Sequence, residues 1–164
     1  MTRLLRSSNY WLPGRALLIV IGITMATGLV SAQTVRKPGG EDDPIFHDYR
    51  GIKLGSLADE VRKKLGNPAN KSDEQDYYIF NNEKERAQVF YDKATRQVTA
   101  ISIDFVTGAT EIITPQQVFG GEVEARGDGS QSKLVRYPKA GCWVSYSRTA
   151  GDNPIITVTI QKMP

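Results

Sequence analysis

Residues 51–68 read Gly51-Ile52-Lys53-Leu54-Gly55-Ser56-Leu57-Ala58-Asp59-Glu60-Val61-Arg62-Lys63-Lys64-Leu65-Gly66-Asn67-Pro68, and the reading of the fold starts there. Ser56 is the expected helix N-cap, and Asp59, three residues on, is placed to complete an approximate capping box. Leu57, Ala58, Val61 and Leu65 fall on one helical stripe. Lys63 and Lys64 occupy the last turn, where cations favour the helix dipole. Gly66 suits the C′ position and Asn67-Pro68 forbids continuation. The spacing predicts a short amphipathic helix with both ends written into the chain.

Three runs follow, at 76–80, 87–92 and 97–105, each enriched in aromatic and β-branched residues. The segments between them, Asn81-Asn82-Glu83-Lys84-Glu85 and Lys93-Ala94-Thr95-Arg96, have hairpin length, so an antiparallel meander is expected. In the third run Ile101, Ile103 and Phe105 alternate with Ala100, Ser102 and Asp104, the pattern of a strand with one buried face. The helix stripe is the natural cover for it.

The second half repeats the plan in weaker form. Thr114-Pro115 offers a cap and a first-turn proline, Val118 and Phe119 an apolar patch, and Gly120-Gly121 a stop. Runs at 133–137, 142–148 and 155–162 follow. Val89-Phe90-Tyr91 matches Val144-Ser145-Tyr146 at an offset of 55, and Ile101-Ser102-Ile103 matches Val158-Thr159-Ile160 at an offset of 57. Such offsets predict a duplicated unit. The expected fold class is α+β, with two tandem units, each a short helix plus a three-stranded antiparallel meander, and the helices on one face of the sheet. Their expected bounds are 50–108 and, for the degenerate copy, 109–164.

The N-terminus has the parts of a secretory signal over 1–32: Arg3, Arg6 and Arg15 without an acid, an apolar run from Ala16, and small residues at Val30-Ser31-Ala32. Cleavage between Ala32 and Gln33 is expected; retained, the same segment is a membrane anchor. A lipoprotein signal needs Cys where Gln33 stands, so no lipid anchor is expected. Residues 33–49, rich in Gly, Pro and charge, read as a flexible tether. Glu41, Asp42, Asp43 and His47 match neither an EF-hand nor a zinc spacing, so no metal is expected.

Charge narrows the partners. The chain has 21 Lys+Arg against 18 Asp+Glu, and three of the arginines lie in the signal, which leaves 18 against 18. A nucleic-acid binder shows a basic face or a strongly basic domain, so nucleic acid is not expected. Catalysis is not expected either. The one histidine, His47, lies in the tether, no Gly-x-Ser-x-Gly is present, and the one cysteine, Cys142, alternates with Val144 and Tyr146 on a strand as a buried thiol, with a reactive or intermolecular one as the alternative. No catalytic residue and no cofactor are assigned.

Aromatic residues carry the functional lead. If Ile79, Val89 and Ile103 mark the buried face, then Tyr78, Phe80, Phe90 and Trp143 lie on the other. An open sheet face bearing such residues is a protein-binding surface, rimmed by Arg136, Lys139 and Arg148. The alternative is that this face packs against the other unit or a loop.

Gly55-Ser56, Glu60-Val61, Leu65-Gly66 and Asn67-Pro68, followed by aromatic strands and the hairpin from Asp92 to Ile101, resemble the SmpA/OmlA (BamE-like) domain. That domain is structurally related to each half of the β-lactamase inhibitor protein fold. The resemblance implies an exported, non-enzymatic module that binds protein, as an inhibitor or as an accessory of outer-membrane assembly. The absent lipidated Cys and the second unit depart from BamE and favour a soluble periplasmic or secreted protein of the cell envelope. A small-ligand carrier with the aromatics lining a pocket, or a membrane-anchored structural factor, are the alternatives.

Overall fold

A computed structural model describes residues 43–164. The elements in chain order are α1 (Ala58–Leu65), β1 (Asn70–Lys71), β2 (Gln75–Phe80), β3 (Glu85–Tyr91), β4 (Val98–Phe105), α2 (Pro115–Phe119), β5 (Gln131–Tyr137), β6 (Cys142–Arg148) and β7 (Ile156–Lys162). The fold is α+β, and the strands form one continuous antiparallel sheet in the order β1-β2-β3-β4-β7-β6-β5. Two meanders therefore meet at their last strands, β4 against β7. Among the described residues no helix is long and apolar enough to cross a membrane.

The helix ends follow local chemistry, with one shift. The N-cap of α1 is Leu57, one residue after Ser56, and Glu60 Oε2 accepts from the Leu57 N–H at 3.3 Å. Ser56 Oγ instead accepts from Lys53 N at 3.2 Å and closes the preceding turn. That rotation leaves Leu57 47% exposed, while Ala58 and Val61 are buried and Leu65 packs against the core. At α2 the expectation and the structure agree: Thr114 is the N-cap, Pro115 opens the helix, and Gly120 takes the left-handed conformation.

One face of the sheet is buried. Ala87, Val89, Ile101, Ile103, Phe105, Val144, Tyr146, Val158 and Ile160 form its core with Val61 and Val118 from the helices. The expected tether over 33–49 does not extend to its last residues. Pro44 is buried, and Phe46 and Tyr49 belong to the core, because an aromatic pair offers more apolar area than solvent tolerates. Tyr49 and Ile52 exchange backbone hydrogen bonds at 2.9 and 2.8 Å around Arg50 (φ 50°) and Gly51 (φ 76°), a two-residue turn with both central residues left-handed.

The pairing registers relate the two meanders by a single interval. Ser102 faces Thr159, 57 residues later. The row Tyr78, Ala87, Ile103 corresponds at that same spacing to Val135, Val144, Ile160. The offset of 55 read for Val89-Phe90-Tyr91 is thereby corrected. Val89 pairs with Ile101 as Tyr146 pairs with Val158, so Val89 stands where Tyr146 does.

Candidate binding face

Alternation along the strands sends a second set of side chains to the opposite face. One row across the sheet is Gln75, Phe90, Ala100, Gln161, Trp143 and Arg136; the next is Tyr77, Gln88, Ser102, Thr159, Ser145 and Leu134; a third starts with Ile79, Arg86 and Asp104. These side chains are partly or fully exposed, apart from Ala100. Ile79 and Leu134, on opposite flanks, are 43% and 51% exposed. Polar groups between them bond to each other: Ser102 Oγ to Thr159 Oγ1 at 2.9 Å, Gln75 Nε2 to Gln88 Oε1 at 3.1 Å, and Thr157 Oγ1 to the Asp104 carboxylate at 2.7 Å. The face therefore offers aromatic and aliphatic side chains set among polar groups that already have partners.

Phe90 and Trp143 lie on this face. They are separated by Ala100 and Gln161, which at a strand spacing of about 4.8 Å sets them about 14 Å apart. Tyr78 and Phe80 do not join them. Tyr78 pairs with Ala87, is 1% exposed, and stacks on Phe80 with ring centroids 5.9 Å apart, so both belong to the covered face. Ile79, expected inside, pairs with Arg86 and points out. The misleading residue is Asp76. It shares the covered face with Tyr78, so an apolar-in rule applied to β2 reads the strand upside down. Among the rim candidates, Arg136 is on the open face beside Trp143, whereas Arg148 turns to the other face and donates to the Gly129 carbonyl at 2.8 Å. The cleavage site at Ala32 and Gln33 lies outside the described residues. Tyr77, Ile79 and Leu134 were missed; alternation from a correctly oriented β2 finds the first two.

The covered face carries two buried acids. Asp76 is 0% exposed and accepts from Arg62 Nε at 2.8 Å and Nη2 at 3.0 Å, from Tyr91 Oη at 2.8 Å and from Tyr78 Oη at 3.4 Å. Glu85, 2% exposed, accepts from Tyr49 Oη at 2.5 Å, from Arg50 Nη2 at 2.8 Å and from Asn81 Nδ2 at 2.5 Å. Burial, and then the adjacent carboxylate, pushes the Tyr78 hydroxyl up to about 12. Tyr91 and Tyr49 are raised further by burial and their hydrogen bonds to Asp76 and Glu85. Each buried carboxylate thus accepts from several side-chain donors, which compensates its burial and ties neighbouring elements together.

A cleft of about 460 Å³ beside Glu85 is lined by Arg50, Asp48, Glu111 and Gln117 together with Phe46 and Ile112. Tyr49, Phe105 and Ile113 complete its lining, so charged and apolar groups share it. Among the described residues no group of three His, Cys, Asp or Glu side chains is placed to hold a metal ion. His47 is exposed and its Nε2 lies 3.3 Å from Asp48. Cys142 is 2% exposed, and burial raises its thiol above the ordinary value, which disfavours the reactive thiolate. No protein family, curated protein or solved structure matches the chain.

Proposed function

We propose that this chain is an exported, non-enzymatic protein-binding module whose partner seats on the open sheet face. The observation that carries the reading is the division of the sheet itself: one face holds the core, and the other presents the exposed Ile79 and Leu134 and the half-buried Tyr77, Phe90 and Trp143. Aromatic and aliphatic anchors on a rigid scaffold, with Arg136 beside Trp143, have the composition of binding hot spots. The signal-like segment at 1–32 supports an encounter in the periplasm, the cell envelope or the secreted fraction.

The inhibitor-like or assembly-accessory role implied by the SmpA/OmlA resemblance is part of this proposal. So is the origin of the sheet by duplication of a helix-plus-meander unit. The helix caps Leu57 and Thr114, the third helical positions Glu60 and Gln117, and the buried Val61 and Val118 all keep the 57-residue interval seen at Ser102 and Thr159. The second unit lacks both buried acids: Lys133 stands at the position of Asp76 and Cys142 at that of Glu85.

The test is capture from envelope extract by the processed protein, followed by photo-crosslinking from position 143 to identify what touches the face. A crosslinked partner lost in a folded Phe90→Ala, Trp143→Ala double variant supports the reading. Equal capture by the double variant, with crosslinks elsewhere, overturns the face assignment.

A further inference from the structure

The two edges of the sheet are not equivalent. Beyond β2, strand β1 pairs at Asn70 and Lys71, and Ala69 N donates to the Tyr77 carbonyl at 2.7 Å. Beyond β5, among the described residues, the chain covers the start of the strand: Ala125 bridges Gln131, Arg126 N donates to the Ser130 carbonyl at 2.7 Å, and Arg126 Nη2 donates to Ser132 Oγ at 2.7 Å. Beyond Ser132, no described strand pairs with this edge.

The hydrogen-bond phase shows which groups it presents. Met163 N donates to the Gly141 carbonyl at 2.8 Å, and Thr149 N to the Ile155 carbonyl at 3.0 Å, so odd-numbered residues of β6 turn their backbone polar groups toward β7. Even-numbered ones turn toward β5. Through the registers Val144 to Val135 and Tyr146 to Lys133, those β5 residues bond inward, and Ser132, Leu134 and Arg136 direct their N–H and C=O groups outward. Their side chains share the open face with Trp143. Leu134 is the most exposed large apolar residue of the described chain. A groove of about 410 Å³ between residues 122–126 and Ser132-Lys133 leads onto the edge.

We propose that β5 accepts an extended, acidic segment of the partner protein, which adds a strand beside it. This rests on the protein-binding reading and gives it a geometry: backbone bonds to Leu134 and Arg136, an aliphatic side chain against Leu134, and carboxylates near Arg136. Charge selects the occupant. Arg136 is the charged side chain that β5 carries on the open face, and residues 130–148 contain no Asp or Glu to oppose an acidic segment there. Glu122 and Glu124 line the far wall of the groove, which directs the incoming acid toward the Arg136 end. A second copy fits less well. Antiparallel pairing of β5 with itself about Leu134 brings the partner copy's 137–141 turn against Ala125 and Arg126, which already occupy the edge at Gln131.

The experiment uses a fluorescent peptide of about ten residues with valines at its centre and glutamates at its ends, a version with lysines replacing the glutamates, and one with a central proline. Binding is read by anisotropy and by amide hydrogen exchange. The expected result is binding of the acidic peptide alone, with exchange slowed at Leu134 and Arg136 and little changed at Lys133 and Val135. Leu134→Pro, which removes an outward N–H while sparing the β5–β6 bonds, weakens binding about tenfold, whereas Leu134→Ala retains most of it. Arg136→Glu moves the preference to the lysine peptide and needs no proline to be tolerated. No slowing at those amides, or equal binding of both peptides, overturns the proposal. Concentration-dependent slowing without peptide overturns it in favour of a second copy. Slowing confined to the face around Phe90 overturns the edge and leaves the face reading intact; edge binding unaffected by Phe90→Ala, Trp143→Ala supports the edge and counts against the wider face.

Discussion

Arg62 closes on the fully buried carboxylate of Asp76 with Nε at 2.8 Å and Nη2 at 3.0 Å, tying α1 to β2. The helix supplies only Ala58 and Val61 as buried residues, so its attachment depends heavily on this pair. Arg62→Ala is expected to destabilise the protein by about 3 kcal/mol, because it strands a buried charge. Adding Asp76→Leu to Arg62→Leu recovers most of that loss. Urea unfolding of the single and double variants decides it; equal loss in both variants contradicts the account.

The Phe46 side chain is expected to be worth about 3 kcal/mol on truncation to Ala, the usual cost of emptying an aromatic core site. His47→Ala, one residue on and exposed, serves as the control with an effect below about 0.5 kcal/mol. Thermal melts of the two variants show whether the segment before Tyr49 is part of the domain.

Tyr78→Ala and Trp143→Ala are expected to separate stability from binding. Tyr78 lies under the helix layer and its removal costs about 3 kcal/mol, whereas Trp143, on the open face, costs about 1 kcal/mol or less. A Trp143→Ala variant as unstable as Tyr78→Ala shows that something covers that face.

Stability is expected to fall on the alkaline side. Tyr78, Tyr91 and Tyr49 all have folded pKa values above the ordinary value of 10.0, with Tyr78 at about 12. Above pH 10 the unfolded chain loses these protons before the folded one, so their contribution is complete below that pH. It declines as pH rises from about 10 through 12, by about 1.4 kcal/mol per pH unit for each tyrosine that is ionised only when unfolded. Tyr91→Phe removes one such group and flattens the decline; denaturant midpoints between pH 9 and 11.5 measure it.

Much of the layout was legible because it is written in local chemistry. Thr114-Pro115 and Gly120 bound α2 as expected, and the strand runs fall within a residue or two of β2 through β7. The binding face was legible only in part. Phe90 and Trp143 follow from the alternation of β3 and β6, whose apolar partners are unambiguous, but β2 carries a buried aspartate that reverses its apparent parity.

The sequence by itself determined both helices and six of the seven strands to within a residue or two, since capping, turn residues and β-branched runs act over a few residues, whereas the two-residue β1 carries no such signal. Only the tertiary structure decided that β4 joins β7 to make one sheet, that Tyr78 and Phe80 face inward, that Phe46 and Tyr49 complete the core, and that β5 is the last strand of the sheet. Each of these depends on a partner distant in sequence, such as Arg62 for Asp76 or Thr159 for Ser102, and a charge is tolerated inside only once that partner is in place.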